Sequence, residues 1–196
     1  MDVNTYARNG DLNSIINAHN NNYEFTTDVM NYAVINGHLD IVKWLHFNRN
    51  EGCTIDAIGY AASNGDLHVV KWLHTHRNEG CTTDAMNNAA YNGHLHVVKW
   101  LHTHRNEGCT TIAMNWAAYN GHFNIVIYLL ENNLCKLEDL DKKYYENIIP
   151  YFVKKYGKLI PKLIINNVIY NYVQYKLYSP KSKFIQRKIN LFQQYN

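Results

Sequence analysis

Proline is scarce in this chain of 196 residues: the three present, Pro150, Pro161 and Pro180, all fall in the last quarter. Interruption of a helix by a missing backbone donor is therefore confined to that end. No stretch approaches about 18 apolar residues, so no membrane-spanning helix is expected. The opening residues, MDVNTYARNGDLN, lack the basic start and apolar run of a secretory leader, so an intracellular protein is expected rather than a secreted one. Four cysteines without such a leader suit a reducing compartment better than a disulfide framework. Acidic residues are missing from 147–196, which hold nine Lys and Arg; residues 1–146 hold ten against sixteen Asp and Glu. The net charge of +3 thus hides a basic end of +9 behind a body of −6.

What is present is a repeat. Asn36-Gly37-His38-Leu39, Asn64-Gly65-Asp66-Leu67, Asn92-Gly93-His94-Leu95 and Asn120-Gly121-His122-Phe123 recur every 28 residues, with Asn9-Gly10-Asp11-Leu12 lying 27 before the first. Each unit reads as helix, turn, helix, loop. In the third such unit Thr82 is placed to cap a first helix and Asp84 to favour its positive end. Cys81 and Met86 then have the spacing of a hydrophobic staple, as do Phe25 and Met30, Cys53 and Ile58, and Cys109 and Met114. Ala85, Met86, Ala89 and Ala90 form an inward face narrow enough for a neighbouring helix to approach. Gly37, Gly65, Gly93 and Gly121 end these helices in the left-handed conformation that glycine tolerates. The second helix, from about Leu95 to Thr103, turns Val97, Val98, Leu101, His102 and Leu95 to one side, with Trp100 at the margin. Trp44, Trp72 and Trp100 form one column, replaced by Asn17 and Tyr128 in the terminal units. A single unit cannot bury such faces, so the copies must stack as a solenoid.

These residues resemble ankyrin repeats. Asn92-Gly93-His94-Leu95-His96-Val97-Val98-Lys99-Trp100-Leu101 is similar to the family's N-G-H-L-x-V-V-K-x-L, and Ala89-Ala90 to its paired alanines. The family's T-P-L-H entry is replaced by Thr82-Thr83-Asp84-Ala85-Met86, and a period of 28 falls short of the family's usual length of about 33. The missing residues lie where the family has its β-hairpin finger. In this the chain resembles the short repeat type expanded in giant amoeba-infecting DNA viruses and some protists. The resemblance covers residues 1–136 and implies an all-α, ankyrin-like solenoid of about five helix-turn-helix units with shortened fingers. Residues 137–196 are expected to form a basic, Tyr-rich helical cap, with helices at about 138–148, 151–158, 162–178 and 183–194. Leu163, Ile164, Val168, Tyr172 and Tyr175 would supply its apolar side.

His74, His76 and Cys81, and their copies His102, His104 and Cys109, offer metal-ligand types, but the histidines leave a helix end while the cysteine packs in the staple, so no metal is expected. Equivalent cysteines should lie near 10 Å apart, about one helix spacing and too far for a disulfide. There is no G-x-S-x-G, phosphate-binding glycine loop or H-E-x-x-H. His38, His94 and His122 recur at fixed offsets and read as loop residues. Neither an enzyme nor a cofactor is expected.

The expected function is that of a non-catalytic, monomeric scaffold binding a protein partner, a host protein if the chain is viral. Positions that vary within the fixed frame of the first helices are the candidates: Tyr32, Tyr60, Asn88 and Trp116 in one column, and Ile35, Ser63, Tyr91 and Tyr119 in another. Aromatic side chains anchor interfaces because they bury large area with few rotatable bonds. The candidate contact residues are Tyr32, Tyr60, Asn88, Tyr91, Trp116 and Tyr119. One alternative is a two-part adaptor whose tail recruits a second partner such as a ubiquitin ligase. Another is attachment of the basic tail to nucleic acid or an anionic membrane, although no nucleic-acid-binding motif accompanies it.

Overall fold

The computed structural model describes residues 2–144 together with 147, 148 and 151. Over residues 2–144 ten α-helices follow in order: α1 (Val3–Asn9), α2 (Leu12–Asn20), α3 (Thr27–Ile35), α4 (Leu39–Asn48), α5 (Ala57–Asn64), α6 (Leu67–His76), α7 (Asp84–Tyr91), α8 (Leu95–His104), α9 (Thr111–Tyr119) and α10 (Phe123–Glu131). There is no strand among the described residues, and the fold is all-α. The odd-numbered helices stack in one row, α1 on α3 and so on to α9, and each even-numbered helix packs behind its own partner.

The alanines explain the close row. Ala33, Ala61, Ala62, Ala89, Ala90, Ala117 and Ala118 are all at or near zero exposure, so backbones meet across small side chains. Val97, Val98 and Leu101 are buried on α8, while Lys99 and His96 face solvent. The buried residues join into one hydrophobic cluster running from Val3 to Ile148. No helix among the described residues is long and apolar enough to cross a membrane.

Helix starts vary more than the sequence suggests. The hydroxyls of Thr26 and Thr110 cap α3 and α9 by accepting from the amides of Asp28 and Ile112, each at 3.3 Å. Thr82 accepts from the amide of Asp84 at 3.1 Å, yet α7 starts at Asp84, later than a cap at Thr82 implies. Thr54 is not a cap: its amide and hydroxyl both donate to Asn31 of the preceding unit, and α5 starts only at Ala57.

Over its first part, 138–144, the helix expected at 138–148 is not formed. Two 3-10 turns, Leu137–Asp139 and Lys142–Tyr144, take its place. The cause is competition for the backbone. The Asp139 carboxylate accepts from the Lys136 amide at 2.9 Å, and the Asp141 amide donates to Asn115 Oδ1 of α9 at 2.8 Å, so the segment is pinned to α9. The helices expected at 151–158, 162–178 and 183–194, and with them the tail-based alternatives, lie outside the described residues, Tyr151 apart.

Candidate partner-binding face

Three kinds of joint hold the odd-numbered helices in register. The first uses the Asn-Gly-His turns. The Asn92 amide donates to the carbonyl of Ser63 at 2.9 Å, Asn120 donates to that of Tyr91 at 2.9 Å, and Asn64 to that of Ile35. Each accepting carbonyl lies at the C-terminal end of the previous odd helix, where intrahelical donors run out. His38 Nε2 donates to the Arg8 carbonyl and His94 Nε2 to the Ser63 carbonyl, both at 3.0 Å. These histidines are therefore inter-repeat joints rather than simple loop residues. The rings of His38, His94 and His122 lie against the turn glycine of the unit before, Gly10, Gly65 and Gly93: a Cβ at Gly93, where φ is +83°, would meet His122 Cε1 at 2.6 Å. Burial lowers the His94 pKa, against the opposing pull of its bond to Ser63.

The second joint lies behind, on the even-numbered helices. Arg49, Arg77 and Arg105 each pair with a glutamate two residues on, Glu51, Glu79 and Glu107. Each arginine also donates to Nδ1 of a histidine one unit back: Arg49 to His19, Arg77 to His46 and Arg105 to His74, at 3.1–3.2 Å. Those histidines stand edge-on to Trp44, Trp72 and Trp100. The tryptophan column thus closes one unit against the next through a histidine. Burial opposes ionisation of Glu79, but its hydrogen bonds from Arg77 and from backbone amides hold its carboxyl down at about 2.

The third joint is a column of asparagines. Asn31 Oδ1 accepts from the Thr54 amide, Asn87 Oδ1 from the Thr110 amide, and Asn115 Oδ1 from the Asp141 amide, at 2.8–3.1 Å. Asn31 and Asn87 are the buried polar side chains of the described core. Gly59 fills the same position in α5.

The four cysteines are free thiols. The spacing expected from the repeat fails at one place. Cys109 and Cys135 have their sulfurs 3.9 Å apart, because the turn after α10 brings Cys135 26 residues after Cys109 and folds it back onto Thr110. A thiolate at Cys109 would accept from the Cys135 S–H, which lowers the Cys109 pKa and raises that of Cys135. Burial and the Glu79 carboxylate push the Cys53 thiol up to about 12. His76 and His104 stack flat on Trp72 and Trp100 at 4.5 and 4.4 Å. Among the described residues no group of three His, Cys, Asp or Glu is arranged to hold a metal ion.

With the frame locked, a row of side chains is left on the open side of the odd helices. Tyr60 is 38% exposed, Tyr91 and Trp116 42%, and Tyr119 68%, whereas Tyr32 and Asn88 are half-buried. Tyr91 and Trp116 meet edge to face with centroids 5.4 Å apart, and Tyr119 meets Tyr144 in the same manner at 6.4 Å. Tyr91, Asn115, Trp116 and Tyr119 form one side of an open groove of about 710 Å³; the other side is the segment from Glu138 to Tyr144. Tyr144 and the carboxylates of that segment escaped the sequence reading because they lie beyond the repeat, where no column exists to compare them with. Tyr32 differs from the rest, since the Arg8 guanidinium lies over its ring at 3.8 Å.

A family model described as ankyrin repeats in three copies matches residues 58–141, and a second, described as ankyrin repeats in many copies, matches residues 30–74. No curated protein matches the chain.

Proposed function

The chain belongs to the ankyrin-repeat family, whose repeats generally serve as protein–protein interaction modules, and from that footing we propose that it is a non-catalytic scaffold. It binds a partner protein through the open face of α3, α5, α7 and α9. Tyr32, Tyr60, Asn88, Tyr91, Trp116 and Tyr119 make the contact, with residues 1–136 as the binding array and the remainder as its cap. The observation that carries this reading is the contrast on α7 and α9. Ala89, Ala90, Ala117 and Met114 have no exposure, while Tyr91, Trp116 and Tyr119 on the same helices stand out at 42–68%. Large aromatic groups held in solvent by a rigid frame lose little entropy on contact, which is the property of an interface anchor.

No chemistry is assigned to the repeated polar side chains. The arginines Arg49, Arg77 and Arg105, with His19, His46 and His74, recur at fixed repeat positions and are consumed in joints between units. The test is affinity capture with mass spectrometry from the native cell, comparing the unaltered chain with the triple variant Tyr60→Ala, Tyr91→Ala and Trp116→Ala. Captured partners should fall away while far-ultraviolet circular dichroism stays near that of the unaltered chain. Undiminished capture by a folded triple variant would refute the face.

A further inference from the structure

The two ends of the open face differ in one respect. Arg8 and Tyr32 hold the repeat positions that Tyr91 and Trp116 hold three units later: Arg8 and Tyr91 stand two residues before their turn glycines, Tyr32 and Trp116 five before theirs. At the N-terminal end a guanidinium therefore covers the aromatic ring, with its central carbon 3.8 Å from the Tyr32 centroid. At the C-terminal end the arginine position is itself aromatic. Among the described residues no cation lies over Tyr91 or Trp116.

The wall facing them carries carboxylates from Glu138, Asp139 and Asp141. Lys142 and Lys143 share that wall, but Lys143 is held 2.9 Å from Asp141 and lies over Tyr144 at 4.8 Å. Residues 1–146, which carry the groove, hold ten basic against sixteen acidic side chains, an acidic excess complementary in sign to a basic segment.

Resting on the partner-binding reading above, we propose that the groove between α7, α9 and the 138–144 segment takes an arginine side chain from a basic segment of the partner protein. The guanidinium stacks on Trp116, as Arg8 does on Tyr32, and turns its N–H edge to the carboxylate wall. Arginine fits better than lysine because its flat, weakly hydrated cation stacks on a ring while its edge still donates.

The probe is a blocked Gly-Arg-Gly-Arg-Gly peptide, with the same peptide carrying citrulline at both arginines as its neutral counterpart. Each is titrated into the full-length, ¹⁵N-labelled chain, and the indole N–H of Trp116, assigned through Trp116→Phe, is followed. The arginine peptide should move this signal at least about threefold more than the citrulline peptide at equal concentration, and less as salt rises. Equal movement by the two peptides, or none, would overturn the arginine assignment. So would a Trp116 signal that shifts with salt alone and ignores the peptide, which would mean that a cation of the chain itself already fills the groove. If the triple-alanine variant loses its partners while citrulline matches arginine, the face stands and the assignment of its ligand chemistry alone fails.

Discussion

The hydroxyl of Tyr128 lies 2.8 Å from Nδ1 of His102, in the place where three preceding units put an arginine. The last unit has Asn133 at the arginine position, so the phenol that replaces tryptophan also supplies the missing donor. Burial raises the Tyr128 pKa, further from neutrality than that of an ordinary phenol, which is itself protonated there. Tyr128→Phe should cost about 1 kcal/mol in urea unfolding, the ordinary net worth of one hydrogen bond. Arg77→Met should cost more, about 1–3 kcal/mol, because it strips partners from Glu79 and His46 together. An equal loss in the two variants would contradict the joint.

Two glycines predict opposite responses. At Gly93 the backbone is left-handed and a Cβ would collide with the His122 ring, so Gly93→Val should destabilise by more than about 1 kcal/mol. Gly59 sits inside α5 with nothing within 4 Å of an added Cβ. Gly59→Asn would restore the asparagine column beside Thr82 and replace a poor helix former, raising stability by about 1 kcal/mol. Melting curves of the two variants should therefore move in opposite directions from the parent. A fall in both would remove the asparagine column as a stabilising joint.

Acid should unfold the array in two stages. His46 faces Arg77 and Glu79 from the following loop, His76 and Trp72 from α6, and Phe47 on its own helix. Burial, then the Arg77 and His76 charges, lower its pKa, with Glu79 opposing. The unfolded chain takes up this proton near the ordinary histidine value of about 6.5, the folded chain only at lower pH. Stability from neutral His46 is thus complete above that value and lost as pH falls through the interval below it. His94 has the same sign. Glu79, held at about 2 against its ordinary 4.5, adds a second loss between those values. The urea midpoint should fall between pH 7.5 and 5.5, and fall less in His46→Asn, whose amide oxygen can accept from Arg77 without titrating. A flat profile over that range would exclude the histidine joint as a source of acid sensitivity.

How much of this was legible depends on what carries a period. The 28-residue recurrence exposed the helix pairs, the alanine faces, the turn glycines and the column of exposed aromatics, since each is a local choice repeated in register. The joints were hidden for a physical reason: they connect residues 23–31 positions apart, and periodicity says that a side chain recurs without saying what it touches. Hence His38 and His94 read as loop residues although they clamp the unit before. The departures were the harder part. Cys135 arrives two residues early, and that shift, visible in the sequence, is what converts a spacing of one repeat into contact with Cys109. The groove wall from Glu138 to Tyr144 has no counterpart in any unit, so nothing in the pattern could place it.

That cysteine contact yields the last prediction. Under oxidised glutathione the Cys109 thiolate should attack one glutathione sulfur and release the first glutathione thiolate. Cys135, deprotonated in the step, then displaces the second from the mixed disulfide. Two protein thiols are oxidised and one glutathione disulfide is reduced to two glutathione molecules. The sulfurs start 3.9 Å apart and must close to about 2.05 Å, a short movement for a turn that follows α10. Cys53 and Cys81 should stay reduced, since both thiols are buried and burial raises their pKa. Thiol titration should therefore fall from four groups to two, and peptide mapping should join residues 109 and 135 within one chain. The bridge would tie the loop ahead of α9 to the turn after α10, and raise stability by about 2–4 kcal/mol. Stable glutathione adducts without a bridge, or a bridge between two chains, would show that the two sulfurs cannot meet.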